Sequence, residues 1–208
     1  LRDERVSPMH YAPNTTPALI TWLSWIENPL VWSTVMLRAD TARALDPFTR
    51  PELLYAEDFD LYHRIQPLGR IARIDSPLVL YRQHAGGVSK RFIDTMYAAA
   101  TRVLAERHAA VLGADDAATL ARLLVLHNMG GVPVPDRATL IRLGEGIAAL
   151  QAAFLAEGRP SRGDARLIRW ETARRWARMP KTTPMLRAMT TAVRPPMRRR
   201  CRHVWRAA

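Results

Sequence analysis

Cysteine is almost absent: Cys201 is the one thiol in 208 residues, which excludes a disulfide within the chain and fits a reducing compartment. No paired Cys/His spacing suggests a structural zinc site. Long apolar runs are missing as well. The longest early one, Ala18 to Ile26, stops at Glu27, Asn28 and Pro29, short of the roughly 18 residues that suggest a membrane span. Leu1 to Arg5 is charged, unlike a secretory leader, and with Leu1 in first place the chain is expected to be a piece of a longer protein. No repeat of fixed period is present. Acid is scarce only at the end: residues 1 to 158 carry 16 Lys/Arg against 17 Asp/Glu, whereas 159 to 208 carry 15 against 2. The basicity therefore belongs to a tail and points to anionic partners there, while saying little about the remaining fold.

What is present is an ordinary globular composition, 48% hydrophobic, sufficient for a real core. Residues 1 to 16 hold Pro8, Pro13 and the Asn14, Thr15, Thr16 cluster and read as a connecting loop. Pro17 to Ile26 reads as a short helix broken at Asn28 and Pro29. Leu30 to Leu37 is strand-like in composition, Thr41 to Leu45 is a helical turn, and Asp46, Pro47, Phe48 make a bend with Phe48 expected in the core. Glu57 and Asp58 open a short amphipathic helix whose Phe59, Leu61, Tyr62 and Ile65 recur at helical spacing. Ile71 to Ile74 and Leu78 to Tyr81 read as two strands, and a helix is expected from about Ser89 to Leu112, closed by Gly113. From Asp115 the pattern is purely helical, ending in an arginine-decorated helix with Arg166, Arg169, Arg175 and Arg178 and an acid-poor tail.

Five stretches in order, NPLVWSTVMLR (Asn28 to Arg38), LDPF (Leu45 to Phe48), AEDFDLYHRI (Ala56 to Ile65), the following LG, and SPLVLYRQHAGGVS (Ser76 to Ser89), resemble the acceptor-side half of family 2 glycosyltransferases. The resemblance covers about residues 10 to 92. It implies an α/β fold, a partial GT-A (Rossmann-like nucleotide-sugar transferase) domain lacking its N-terminal half. Three intervals follow: 1 to 92 as that half-domain, 93 to 158 as a helical extension, and 159 to 208 as a basic helical tail.

The family performs an inverting displacement in which an acceptor hydroxyl attacks the anomeric carbon of a nucleotide sugar. By resemblance Asp58 takes the hydroxyl proton and Glu57 orients acceptor or base, an assistance typically worth about 10² to 10⁴ in rate. A divalent cation, Mg or Mn, neutralises the leaving diphosphate; it is held mainly by an Asp-x-Asp in the other half, which has no counterpart here. His84 matches a position that completes the metal site or touches the diphosphate in some relatives. Arg82, Ser33 and Ser89 match substrate-binding positions. The expected partners are a nucleotide-sugar donor and a saccharide or lipid-linked acceptor, in cell-wall or polysaccharide synthesis at the inner face of a bacterial plasma membrane, with this piece inactive alone.

The residues also carry plainer readings. Acids in a helix's first turn are favoured by its dipole whatever their chemistry. His84 and Arg82 fit a backbone bond and a counter-charge to Asp58, and Arg64, four residues after Asp60, fits an exposed ion pair worth roughly 0.3 to 0.5 kcal/mol. His63, His108 and His127 read as packing or surface residues, and Trp22, Trp25 and Trp32 as core. The competing function is a non-catalytic module for assembly or for binding anionic membrane through the basic tail. Nucleic acid is not expected as a partner, since charge is its only support.

Overall fold

A computed structural model describes residues 15 to 74, 76, 78 to 80 and 87 to 182. The architecture is all-α, with no sheet among the described residues, which overturns the α/β, partial GT-A expectation. Helix α1 (Pro17–Leu23) starts where Thr16 Oγ1 accepts the Leu19 amide at 3.2 Å and where Pro17, lacking an amide hydrogen, costs nothing. Short α2 (Ala39–Arg43) and α3 (Glu57–Ile65) follow, then α4 (Val88–Arg91) and α5 (Ile93–Leu112). The single helix expected from Ser89 to Leu112 is thus interrupted at Phe92, and its end at Gly113 is observed, with φ +79° turning the chain into α6 (Ala114–Leu123). A six-residue π-helical segment, Leu124–Met129, continues α6. Helix α7 (Arg137–Gly158) is capped by the Asp136 carboxylate, which accepts the Thr139 amide at 2.8 Å. Helix α8 (Arg162–Arg178) is capped by Ser161, which accepts the Asp164 amide at 3.0 Å and donates to the Asp164 carboxylate at 2.8 Å.

The expected strands are not formed. Leu30 to Leu37 holds only a 3₁₀ turn, Trp32–Thr34, in otherwise extended chain. The segments 71 to 74 and 78 to 80 have no regular structure; Tyr81 lies outside the described residues. Valine, isoleucine and leucine make a segment suitable for a pleated, half-buried surface, but a strand needs a neighbour to take its amides and carbonyls. Among the described residues the one bridge joins Val134 and Lys181, far from these segments. Their apolar side chains stay in solvent, Ile74 at 71% and Leu80 at 82% exposed. Phe48, expected in the core, is also exposed.

One main core draws on α1, α3, α5, α6, α7 and α8, so all three sequence intervals contribute to it. Trp22 and Trp25 are buried there, with ring centroids 5.5 and 5.4 Å from Phe154 of α7, whereas Trp32 is exposed. The Thr172 hydroxyl locks three helices: it donates to Ile168 O at 2.7 Å and accepts from Trp22 Nε1 at 2.8 Å and Gln151 Nε2 at 2.6 Å. A smaller cluster, Leu61, Tyr62 and Ile65, packs the other side of α3 against Leu30, Val35, Leu37, Leu45 and Ile71. Among the described residues α7 is long and apolar enough by length and composition to cross a membrane, and its Leu140, Leu143, Ile147, Leu150 and Phe154 lie in the core.

Candidate functional site

The acidic run of α3 divides into two jobs. Asp60 points inward, 5% exposed, 3.2 Å from Arg50 Nη1 and 3.1 Å from Arg64 Nε. Arg50 continues to Glu106 of α5 at 2.7 Å, and Arg64 donates to Pro47 O and Phe48 O at 2.6 to 2.8 Å. The Asp60–Arg64 pair read from sequence is therefore present, but it is largely buried and staples the 45 to 48 bend to α3.

Glu57 and Asp58 are half-buried at the opening of the helix. Asp58 Oδ2 accepts Asn28 Nδ2 at 3.1 Å and Oδ1 accepts the Phe59 amide at 2.8 Å. Burial pushes the Asp58 carboxyl above its ordinary value and the Glu57 charge adds to this; the Asn28 and Phe59 hydrogen bonds pull the other way. The chain enters this helix through Tyr55, whose φ of +67° lies in the left-handed region that an aromatic residue seldom occupies, and whose ring stacks on Phe92 at 4.9 Å. Strained backbone one turn ahead of a carboxyl pair is a feature of sites as well as of tight turns.

Asn28 also lines a cleft of about 500 Å³ between α1, α8 and the π-helical segment. Arg73, Arg174, Arg175 and Arg178 line it, with Glu27, His127 and Asn128. Arg175 bridges Glu27 at 2.7 Å and Glu171 at 2.6 Å, and Arg174 reaches Glu171 at 2.6 Å. Glu171 is 1% exposed, so its charge is tolerated only because both guanidiniums hold it. The π-helical segment, where the Gly130 amide reaches back five residues to Val125 O at 2.8 Å, brings His127 and Asn128 to the same cleft. His127 donates Nδ1–H to Val132 O at 2.9 Å, and Asn128 Nδ2 donates to Ile26 O at 3.0 Å.

A second group sits behind α3. His108 is fully buried with Nε2 2.7 Å from Trp25 O, and burial, with the neighbouring Arg107 charge, pushes its pKa down to about 4. His63 is pushed down to about 3 by burial first, then by Arg107 and His108. Arg107 lies over the Trp25 ring, 4.2 Å from its centroid. Both histidines are therefore neutral packing groups at neutral pH.

Of the residues expected from sequence, the structure keeps Glu57 and Asp58 together at one helix start. Ser33 sits exposed on the 3₁₀ turn and makes no side-chain hydrogen bond among the described residues, so it is not held toward the acidic pair. Ser89 falls in α4, but its side chain lies outside the described residues, as do Arg82 and His84 entirely. No three His, Cys, Asp or Glu side chains converge to hold a metal among the described residues, and His84, the one residue expected to reach the cation, lies outside them. Sequence reading missed Asn28, taken as a helix breaker, Arg175 and Arg178, taken as decoration of the helix, and Arg174, taken only as marking its periodicity. Their signal was the spacing i, i+1, i+4, which places three guanidiniums toward one side of a helix. Comparison of the chain with protein-family models, with curated proteins and with solved structures finds no match.

Proposed function

We propose that this chain supplies the acceptor-activating part of a glycosyltransferase, moving a sugar from a nucleotide-sugar donor to a saccharide or lipid-linked acceptor with Asp58 as general base. The observation that carries the reading is the placement of Asp58. A half-buried carboxyl of raised basicity is tied by one hydrogen bond, through Asn28, to a cleft lined by arginines. A base of this kind takes a hydroxyl proton more readily than an ordinary carboxylate, and nearby guanidiniums favour phosphate-bearing substrates. Burial keeps the Asp58 pKa up, with a smaller contribution from the adjacent Glu57, which orients the acceptor.

The test is sugar transfer by the full-length protein with a panel of nucleotide-sugar donors. Asp58→Asn is expected to lower kcat by about 10² to 10⁴ with donor KM little changed. Turnover near that of the parent protein overturns the base assignment.

A second reading, docking of α8 on an anionic membrane, is favoured by Trp170, 66% exposed and flanked by exposed Arg166 and Arg169. Sedimentation with vesicles tests it: preference for anionic over neutral lipid supports it, and equal binding to both rejects it.

A further inference from the structure

A second cavity shares His127 with the arginine-lined cleft but otherwise has its own walls, drawn from α6, the π-helical segment, the 132 to 135 loop and α7. Its volume of about 440 Å³ falls in the range of small-molecule sites. Leu123, Leu126, Val132, Pro133 and Pro135 make the lining mainly apolar. The loop is fixed at both ends: the Val132 amide donates to Leu126 O at 3.1 Å, and Val134 donates to Pro180 O at 2.8 Å while its carbonyl accepts the Thr182 amide at 3.2 Å. This wall is therefore preformed, and a ligand need not order it. Two polar side chains interrupt the apolar lining. His127 is 3% exposed, and its Nδ1–H is taken by Val132 O at 2.9 Å, which fixes the tautomer and leaves Nε2 as an acceptor without a partner among the described residues. Arg122, exposed in the last turn of α6, has no ion-pair partner among the described residues. Asp136, the acid next to this wall in sequence, does not line the pocket, and its carboxylate is held by the Thr139 amide at 2.8 Å.

We propose that this pocket binds a small hydroxy acid with an apolar body, of the phenolic-acid class. The carboxylate pairs with Arg122, whose planar fork suits two parallel hydrogen bonds. The ring packs against Leu123, Leu126 and the two prolines, and the hydroxyl donates to His127 Nε2. A buried acceptor discriminates strongly, because a ligand lacking the hydroxyl leaves it unpaired. The π-helical segment that carries Leu126 and His127 into the wall is a costly distortion of the kind that recurs at functional sites. The inference goes beyond the transferase reading and does not rest on it, since neither Asp58 nor Asn28 lines this pocket.

The experiment is a calorimetric titration of the full chain with 3-(4-hydroxyphenyl)propionate, beside 3-phenylpropionate, which lacks the hydroxyl, and 4-ethylphenol, which lacks the carboxylate. The expected result is saturable binding of the hydroxy acid at one site, with each analogue weaker by about tenfold or more. His127 also holds the turn to Val132, so its contact is tested by varying the ligand and not the residue. Arg122→Gln should weaken the hydroxy acid by about tenfold and leave 4-ethylphenol within about twofold. Arg142→Gln, exposed on α7 and outside the pocket lining, removes the same charge and should change neither by more than about twofold. Absence of saturable binding, equal affinity for 3-phenylpropionate, or equal weakening by Arg122→Gln and Arg142→Gln overturns the proposal. Any of these leaves the Asp58→Asn result untouched, so the two readings are separable.

Discussion

Carboxylates two positions apart on α3 are set to opposite tasks by what surrounds them. Asp60 faces Arg50 and Arg64, and Arg64 in turn holds two backbone carbonyls of the preceding bend. Arg64→Ala leaves a buried carboxylate with one partner fewer and should cost about 2 to 3 kcal/mol, lowering Tm by about 4 to 12 °C. Thermal denaturation checks this, and a change within 1 °C would show the pair to be idle. His108 makes a second residue-level prediction. Its folded pKa of about 4 lies below the ordinary 6.5, so between those values the unfolded chain binds a proton that the folded chain does not. Stability is therefore complete above about pH 6.5 and falls with acidification, by about 1.4 kcal/mol per pH unit for each such histidine, His63 included. Calorimetry from pH 7 to pH 5 should show this fall, and His108→Gln should make it shallower. An equally steep fall in the variant would contradict the assignment.

At the scale of elements, two glycines of α7 behave differently because of what faces them. A Cβ on Gly146 would lie 2.7 Å from both terminal methyls of Leu120 on α6, so glycine permits the close approach of these helices. A Cβ on Gly144 would meet Trp176 Nε1 at 3.4 Å, an ordinary contact. Gly144→Ala should therefore stabilise by up to about 1 kcal/mol through helix propensity, while Gly146→Ala should destabilise by about 1 to 3 kcal/mol through overpacking. Urea unfolding of the two variants tests the pair, and the same sign for both would contradict this packing. The helices were the legible part of the chain. The stop at Gly113 was read because local chemistry is written in adjacent residues; the caps at Thr16, Asp136 and Ser161 are equally local but went unread, Thr16 being assigned to a connecting loop. Strand-like composition at Ile71 to Ile74 and Leu78 to Tyr81 was legible too, but pairing is a long-range property, and among the described residues no strand pairs with these segments. The arginines of α8 were misjudged: Arg175, read as decoration, joins Arg174 in holding Glu171, which is buried.

At the scale of the molecule, one core joins α1 near the start of the described chain to α8 near its end, and Thr172 is its polar keystone. That closure creates the candidate site. Asn28 follows α1, donates to Asp58 on α3 and lines the cleft that α8 completes, so one side chain links the carboxyl to the guanidinium-lined cleft although more than a hundred residues separate them in sequence. Sequence order disclosed the acidic pair but not this juxtaposition, which depends on how α8 returns to α1. The most direct measurement of the central claim is the acid limb of the pH–rate profile for sugar transfer, in the parent protein and in Asn28→Ala. Asp58 must be ionised to act as base, so activity should fall as pH drops through its raised pKa. Removing the Asn28 hydrogen bond, which stabilises the ionised carboxylate, should move that limb to higher pH; a limb unchanged in Asn28→Ala would contradict Asp58 as the base.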